Sequence, residues 1–112
     1  MGLAYKENVD DMRESPTFAL LDILSERGAI VEYYDPHIPV IGPTREHANW
    51  QGKESIEWTK AQVSSYDLVL ISTDHKIFNI EELLAWAPII VDTRNAVDKS
   101  GFKPRDGQLW KA

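Results

Sequence analysis

An α/β fold is predicted for this chain: a Rossmann-like, three-layer, doubly wound parallel sheet. Short apolar β-branched runs alternate with stretches of helical periodicity. Capping residues or proline open each helical stretch. Asp-containing polar clusters follow each apolar run. The composition agrees, with 43% hydrophobic and 27% charged residues over 112 positions, enough for one domain with one modest core. The whole chain, 1–112, is expected to be a single domain, its tail 96–112 mostly irregular.

The first helix is expected to open at Ser15, with Pro16 at the first helical position and Gly28 as its stop. Between them Leu20, Ile23, Leu24 and Arg27, with Ala19 beside them, make a mostly apolar stripe, leaving Asp22 and Glu26 on the wetter side. Ala29–Tyr34 reads as a strand closed by Asp35-Pro36. Residues 36–54, with three prolines and two glycines, read as a long loop with short helical turns near Thr44–Ala48 and apolar anchors at Ile38, Val40 and Trp50. Ser55–Trp58 suits a short extended piece.

Thr59-Lys60-Ala61-Gln62 and Asn79-Ile80-Glu81-Glu82 are capping boxes. They open a short helix to about Ser65 and a longer one that ends before Pro88. Leu68–Ile71 and Ile89–Val91 read as buried parallel strands. Asp106-Gly107 marks a turn, from which Leu109 and Trp110 tuck the tail against the body. A helix followed by a glycine and a strand is the second half of a βαβ unit, so a strand is expected ahead of Ser15. Met1–Tyr5 can supply two or three residues of it. The expectation is that this first strand belongs to a longer parent and that the chain begins just beyond it, inside a functional segment.

A net charge of −6 without any Lys/Arg block argues against duplex nucleic acid as a partner. No apolar run approaches membrane-spanning length and no basic-apolar leader is seen, so neither a membrane partner nor secretion is expected. The absence of cysteine removes disulfides, thiolate metal sites and a Cys nucleophile from these residues and fits a cytoplasmic protein.

Ligands of open parallel sheets lie beyond the carboxyl ends of the strands. Gly2–Arg13, Asp35-Pro36, Thr73-Asp74-His75 and Asp92-Thr93-Arg94 fall there. Lys6, Arg13 and Arg94 bring positive charge suited to phosphate or carboxylate. Each has a plainer reading: Lys6 as a solvated lysine, Arg13 as a tie for its own acidic loop, and His75 as a structural residue or one bonded to Asp74. Arg94, following a buried strand, leans towards function. Asp10, Asp11 and Glu14 are explained by the helix dipole and Arg13 rather than by a metal or an acid–base pair. The residues describe a binding edge without a catalytic centre or metal site.

Gly2–Pro16, with Gly28-Ala29, Tyr34-Asp35-Pro36, Ser72–His75 and Val91–Asn95, closely resembles the C-terminal, UDP-binding domain of the UDP-glucose/GDP-mannose dehydrogenase family. Val9–Pro16 followed by Tyr34-Asp35-Pro36 is most similar to the UDP-N-acetylglucosamine 6-dehydrogenase branch. The resemblance implies a parent enzyme that oxidises the C6 hydroxyl of a nucleotide sugar to a carboxylate in two NAD-dependent steps, for polysaccharide synthesis. It also implies a homo-oligomeric parent whose N-terminal and central domains partner this one. The catalytic cysteine and the main NAD site would lie in those other parts. Carried over by motif, Tyr5, Lys6 and Arg94 would contact the UDP-sugar, and Arg13 the NAD pyrophosphate. The isolated chain would then be inactive and bind UDP-sugar only weakly. Two other readings stay open: a stand-alone nucleotide-binding module, or a small interaction domain whose open sheet edge pairs with residues 1–5 or another chain.

Overall fold

The computed structural model describes residues 1–112. Its sheet has three parallel strands in the order β1 (Val69–Ile71), β2 (Ile90–Asp92) and β3 (Leu109–Lys111), pairing Val69 with Ile90 and Ile90 with Leu109. Four helices accompany it: α1 (Thr17–Glu26), α2 (Lys60–Ser64), α3 (Ile80–Trp86) and α4 (Ala96–Ser100). This is an α/β fold with a small parallel sheet flanked by helices, consistent with a Rossmann-like arrangement.

The helix ends follow the local chemistry. Thr59 Oγ1 accepts from the Gln62 amide at 3.2 Å and Asn79 Oδ1 from the Glu82 amide at 3.0 Å. The reciprocal halves of both boxes are spent elsewhere: Gln62 Nε2 donates to the Tyr66 hydroxyl, and Glu82 accepts from Trp58 Nε1. Gly28 ends α1 at φ +90°, with its amide on Ser25 O and the Ala29 amide on Leu24 O. That pair of bonds is a Schellman closure, which the left-handed glycine permits.

Two clusters form the core. One packs α2, α3 and α4 on the strands through Val63, Ile71, Leu83, Leu84, Ile90 and Val97. The other joins Leu3 and Ala4 to Phe18 and Leu21 of α1 and to Tyr33, Ile38 and Ile41.

Several expectations are corrected here. Ala29–Tyr34 is not a ladder strand, because no strand stands between it and β1 to pair with. Its place in the sheet count is taken by β3, which lies in the tail together with the short α4. The buried face of α1 is Thr17, Phe18 and Leu21, whereas Ile23 and Leu24 are exposed. Asp22 is not simply wet; its carboxylate takes the Trp50 indole N–H at 2.7 Å. The turn expected at Thr44–Ala48 lies slightly later, as a 3₁₀ turn at Ala48–Trp50.

Candidate functional site

The site grows from the carboxyl ends of the strands. Beyond β1 the chain continues into Ser72, Thr73 and His75, all buried, and these residues stitch the N-terminal segment onto the sheet. The Ser72 amide donates to Met1 O at 2.8 Å, and Thr73 Oγ1 donates to Ala4 O at 2.9 Å. Thr17 Oγ1, at the start of α1, lies 2.6 Å from Ser72 Oγ and donates to Gly2 O at 3.2 Å. The approach is so close that a Cβ on Gly2 would stand 2.3 Å from Thr73 O, and Gly2 sits at φ +88°. Only glycine fits both conditions.

Asp35 holds the next residues. Its Oδ2 accepts from the amides of Leu3 (2.8 Å) and Ala4 (2.9 Å) and lies 2.9 Å from His75 Nε2, while Oδ1 accepts from the His37 amide at 2.9 Å. His75 Nδ1 accepts from the Asn8 amide at 2.8 Å, so the ring proton sits on Nε2 and is donated to Asp35. Both side chains are fully buried. Burial pushes the Asp35 carboxyl up, but the bonds from His75, Ala4, Leu3 and His37 outweigh it and hold it below the usual range. Asn8 adds a second clasp, its Oδ1 accepting from the Lys76 amide at 2.8 Å. The result is a loop from Leu3 to Asn8 fixed at its base.

The candidate ligand residues sit on this frame. Tyr5 and Lys6 follow directly on Ala4 and are exposed, with the Tyr5 amide closing the loop onto Asp11 O at 2.7 Å. The Lys6 side chain makes no hydrogen bond or ion pair. Arg94 is tethered by Nε to Ser72 O at 2.7 Å, leaving its two terminal nitrogens without partners. Because Ser72 also binds Met1, the Arg94 tether and the base of the Tyr5–Lys6 loop share one anchoring strand end. Asp92 organises the Arg94 turn by accepting from the amides of Arg94, Ala96 and Val97.

Arg13 stands apart. It grips Asp11 through Nε (3.0 Å) and Nη2 (2.8 Å), and its side chain is 86% exposed. The Arg13 guanidinium holds the Asp11 carboxyl at about 2. This matches the plainer reading of Arg13 as a tie for its own loop. Non-glycine residues in left-handed backbone mark both loops, with Asn8 and Glu14 in one and Asn95 in the other.

His75 is structural, but its partner is Asp35 rather than Asp74, which pairs with Lys99 at 3.3 Å. Sequence reading passed over Asp35, Asn8 and Ser72 as organisers. The available signal was Asp35 itself, a carboxylate between an aromatic strand-like run and a proline, where a buried acceptor for nearby amides is a reasonable expectation.

Comparison with known proteins bears directly on this edge. The family model described as UDP-glucose/GDP-mannose dehydrogenase family, UDP binding domain, matches residues 1–99. A UDP-glucose 6-dehydrogenase of Rickettsia conorii is 33% identical over 110 residues, covering 92% of this chain and 24% of its own length. A UDP-N-acetyl-D-mannosamine dehydrogenase of Methanococcus vannielii is 34% identical over 115 residues, covering 91% of this chain and 24% of its own. The UDP-glucose 6-dehydrogenase of Bacillus subtilis is 33% identical over 100 residues, covering 85% and 22%. The chain thus spans about a quarter of the length of the curated relatives it matches.

Proposed function

The chain belongs to the UDP-glucose/GDP-mannose dehydrogenase family, as its UDP binding domain, and from that premise we propose that it is the nucleotide-sugar-binding part of an NAD-dependent UDP-sugar 6-dehydrogenase. The observation that supports the proposal is that the segments carrying a free Lys6 and a tethered, half-satisfied Arg94 are both anchored to the residues just after β1. Two cations held at one edge suit the diphosphate of a UDP-sugar, the arginine as a planar fork and the lysine as a mobile point charge. Tyr5, exposed beside Lys6, offers a ring and a hydroxyl to the sugar or base.

In this reading the chain contributes grip rather than covalent chemistry. Asp35 and His75 keep the Tyr5–Lys6 loop in place, and Asp92 keeps the Arg94 turn in place. NAD, as hydride acceptor, would be held chiefly by other parts of the parent. This chain's contribution to it is Arg13, which would exchange Asp11 for the pyrophosphate. The substrate branch proposed is UDP-N-acetylglucosamine, on the wording of Val9–Pro16, with UDP-glucose as the alternative. The parent's partners are accordingly its own N-terminal and central domains and further copies of itself, in the cytoplasm. The second reading, a binding or interaction module without catalysis, is favoured only by the open edge beside β1.

Titrating UDP, UDP-glucose, UDP-N-acetylglucosamine and GDP-mannose into the chain, followed by NMR, tests the proposal. Weak binding of the uridine nucleotides, with shifts at Lys6 and Arg94, is expected. Lys6→Ala and Arg94→Ala should each weaken it about tenfold, as the loss of one charged hydrogen bond would. Equal response to GDP-mannose, or shifts that avoid both residues, would overturn it.

A further inference from the structure

Lys6 lies between two anchors. On one side Ala4 is fixed by its amide on Asp35 Oδ2 and by its carbonyl, which accepts from Thr73 Oγ1. On the other side Asn8 is fixed twice onto the turn after β1. Its amide donates to His75 Nδ1 and its Oδ1 accepts from the Lys76 amide, both at 2.8 Å. Asn8 stands at φ +62°, a left-handed conformation that asparagine tolerates. The Tyr5 amide on Asp11 O closes the neck, so the arm Tyr5–Lys6–Glu7 is exposed yet bounded at both ends.

The two anchors respond differently to a proton. His75 is fully buried and uses both ring nitrogens, Nε2 as donor to Asp35 and Nδ1 as acceptor from Asn8. Only a neutral imidazole can do both. A second proton keeps the Asp35 bond and makes it an ion pair, because that carboxyl is held below its usual range and stays ionised near neutrality. The same proton destroys the Asn8 bond, since it sets one N–H donor against another. Asp35 is buried and Asn8 exposed, so the ring stays and the Asn8 side gives way. Around the ring, His37 meets it edge-on with centroids 4.5 Å apart and Phe78 with centroids 5.1 Å apart. Asp74, next along the chain, is engaged by Lys99. None of these is bonded to Nδ1, whose partner is Asn8.

We propose that His75 and Asn8 form a proton-operated clasp on the Tyr5–Lys6 arm, closed while the imidazole is neutral and open once it is doubly protonated, with loss of grip on a nucleoside diphosphate sugar. The loss of grip rests on the nucleotide-binding reading of Lys6 and Arg94; the opening of the clasp does not. Histidine suits the task as the side chain whose charge ordinarily changes between pH 5 and 8. The sign of the effect separates a clasp from simple electrostatics. Acidification adds positive charge near the arm, which by itself would tighten a diphosphate. A clasp that opens loosens it. His75 and Asn8 are thus positioning residues, acting on the ligand only through the arm.

The test uses the full 112-residue chain, labelled with 15N, and UDP-glucose, whose diphosphate diester carries no group that titrates between pH 5 and 8. A coupling across the hydrogen bond from the Asn8 amide nitrogen to His75 Nδ1 is expected at pH 8. It should vanish by pH 5 as the ring shifts of His75 report the second proton. Backbone relaxation should show Tyr5, Lys6 and Glu7 loosening over the same interval, with Leu3 and Ala4 unchanged. UDP-glucose should bind about tenfold more weakly at pH 5 than at pH 8, the size expected for one lost hydrogen bond. His75→Gln, which cannot titrate, should bind equally at both pH values, whereas His37→Gln should keep the native dependence. The Met1 amine, which acts on Asp35, is common to all three chains. A coupling that persists at pH 5, or an arm that stays ordered after the coupling is lost, would overturn the clasp. Tighter binding at pH 5, or the native pH dependence in a folded His75→Gln, would overturn its control of the site. An arm that loosens in a chain binding no UDP-glucose at pH 8 would support the clasp and overturn the nucleotide reading instead.

Discussion

Asp35 gathers four hydrogen bonds into a fully buried carboxylate, three from backbone amides and one from His75. Its partners span separations of 2 to 40 residues, so one side chain ties the N-terminal loop, the segment after Tyr34 and the end of β1 together. Asp35→Asn replaces an acceptor by a group that must present an N–H to some of these donors. The expected cost is about 2–4 kcal/mol in urea unfolding, with faster amide exchange at Leu3, Ala4 and Asn8. The pH sign follows from the lowered carboxyl. The unfolded chain takes up the proton first, near the ordinary value of about 3.9. The stabilisation is therefore complete above that pH and is lost as pH falls through the lower folded value. Urea midpoints from pH 5 down to pH 2 should fall in the native chain and fall less in Asp35→Asn; parallel curves would contradict this account.

At the scale of elements, α1 shows two faces with different fates. Phe18 and Leu21 find a core, while Leu20 and Leu24, with Leu21 between the two faces, line a cavity beside β1. An apolar stripe through Leu20 and Leu24 was legible from spacing alone, because the periodicity records a face made to be covered. The end of α1 was legible too, since a left-handed C-terminal residue is a local need that glycine meets. Gly28→Ala should lower stability by roughly 1 kcal/mol, read from thermal melts. Nothing lies within 4 Å of a Cβ there, so the effect is purely one of backbone conformation. An unchanged melting temperature would mean that α1 does not need its Schellman closure.

For the 112-residue chain as a whole, the buried Met1 amine gives stability a dependence on pH near neutrality. Burial holds the Met1 amine at about 6, against 8.0 when unfolded. The unfolded chain binds the extra proton between those values, so stability is highest above pH 8, declines as pH falls to 6, and levels off below. The difference is on the order of 1–2 kcal/mol, discounted because Met1 is only half-buried. Acetylating the amino group should remove the slope, measurable as urea midpoints at pH 6 and pH 8. The chain alone should also show no reduction of NAD with any UDP-sugar, assayed by absorbance. Robust turnover would contradict the division of labour proposed above.

The sequence by itself determined the alternation of helices and strands, the caps at Thr59 and Asn79, the stop at Gly28 and the family. These rest on spacing over a few residues, or on motifs read directly from the chain. Tertiary structure decided that Ala29–Tyr34 forms no ladder strand, that Leu109–Lys111 becomes the third strand, and that Arg94 hangs from Ser72. It also decided that Asp35 and His75, 40 residues apart, become one buried unit. A strand exists only where a neighbour supplies hydrogen bonds, and a buried carboxylate persists only where distant donors converge. Both depend on which segments meet, which no local pattern records.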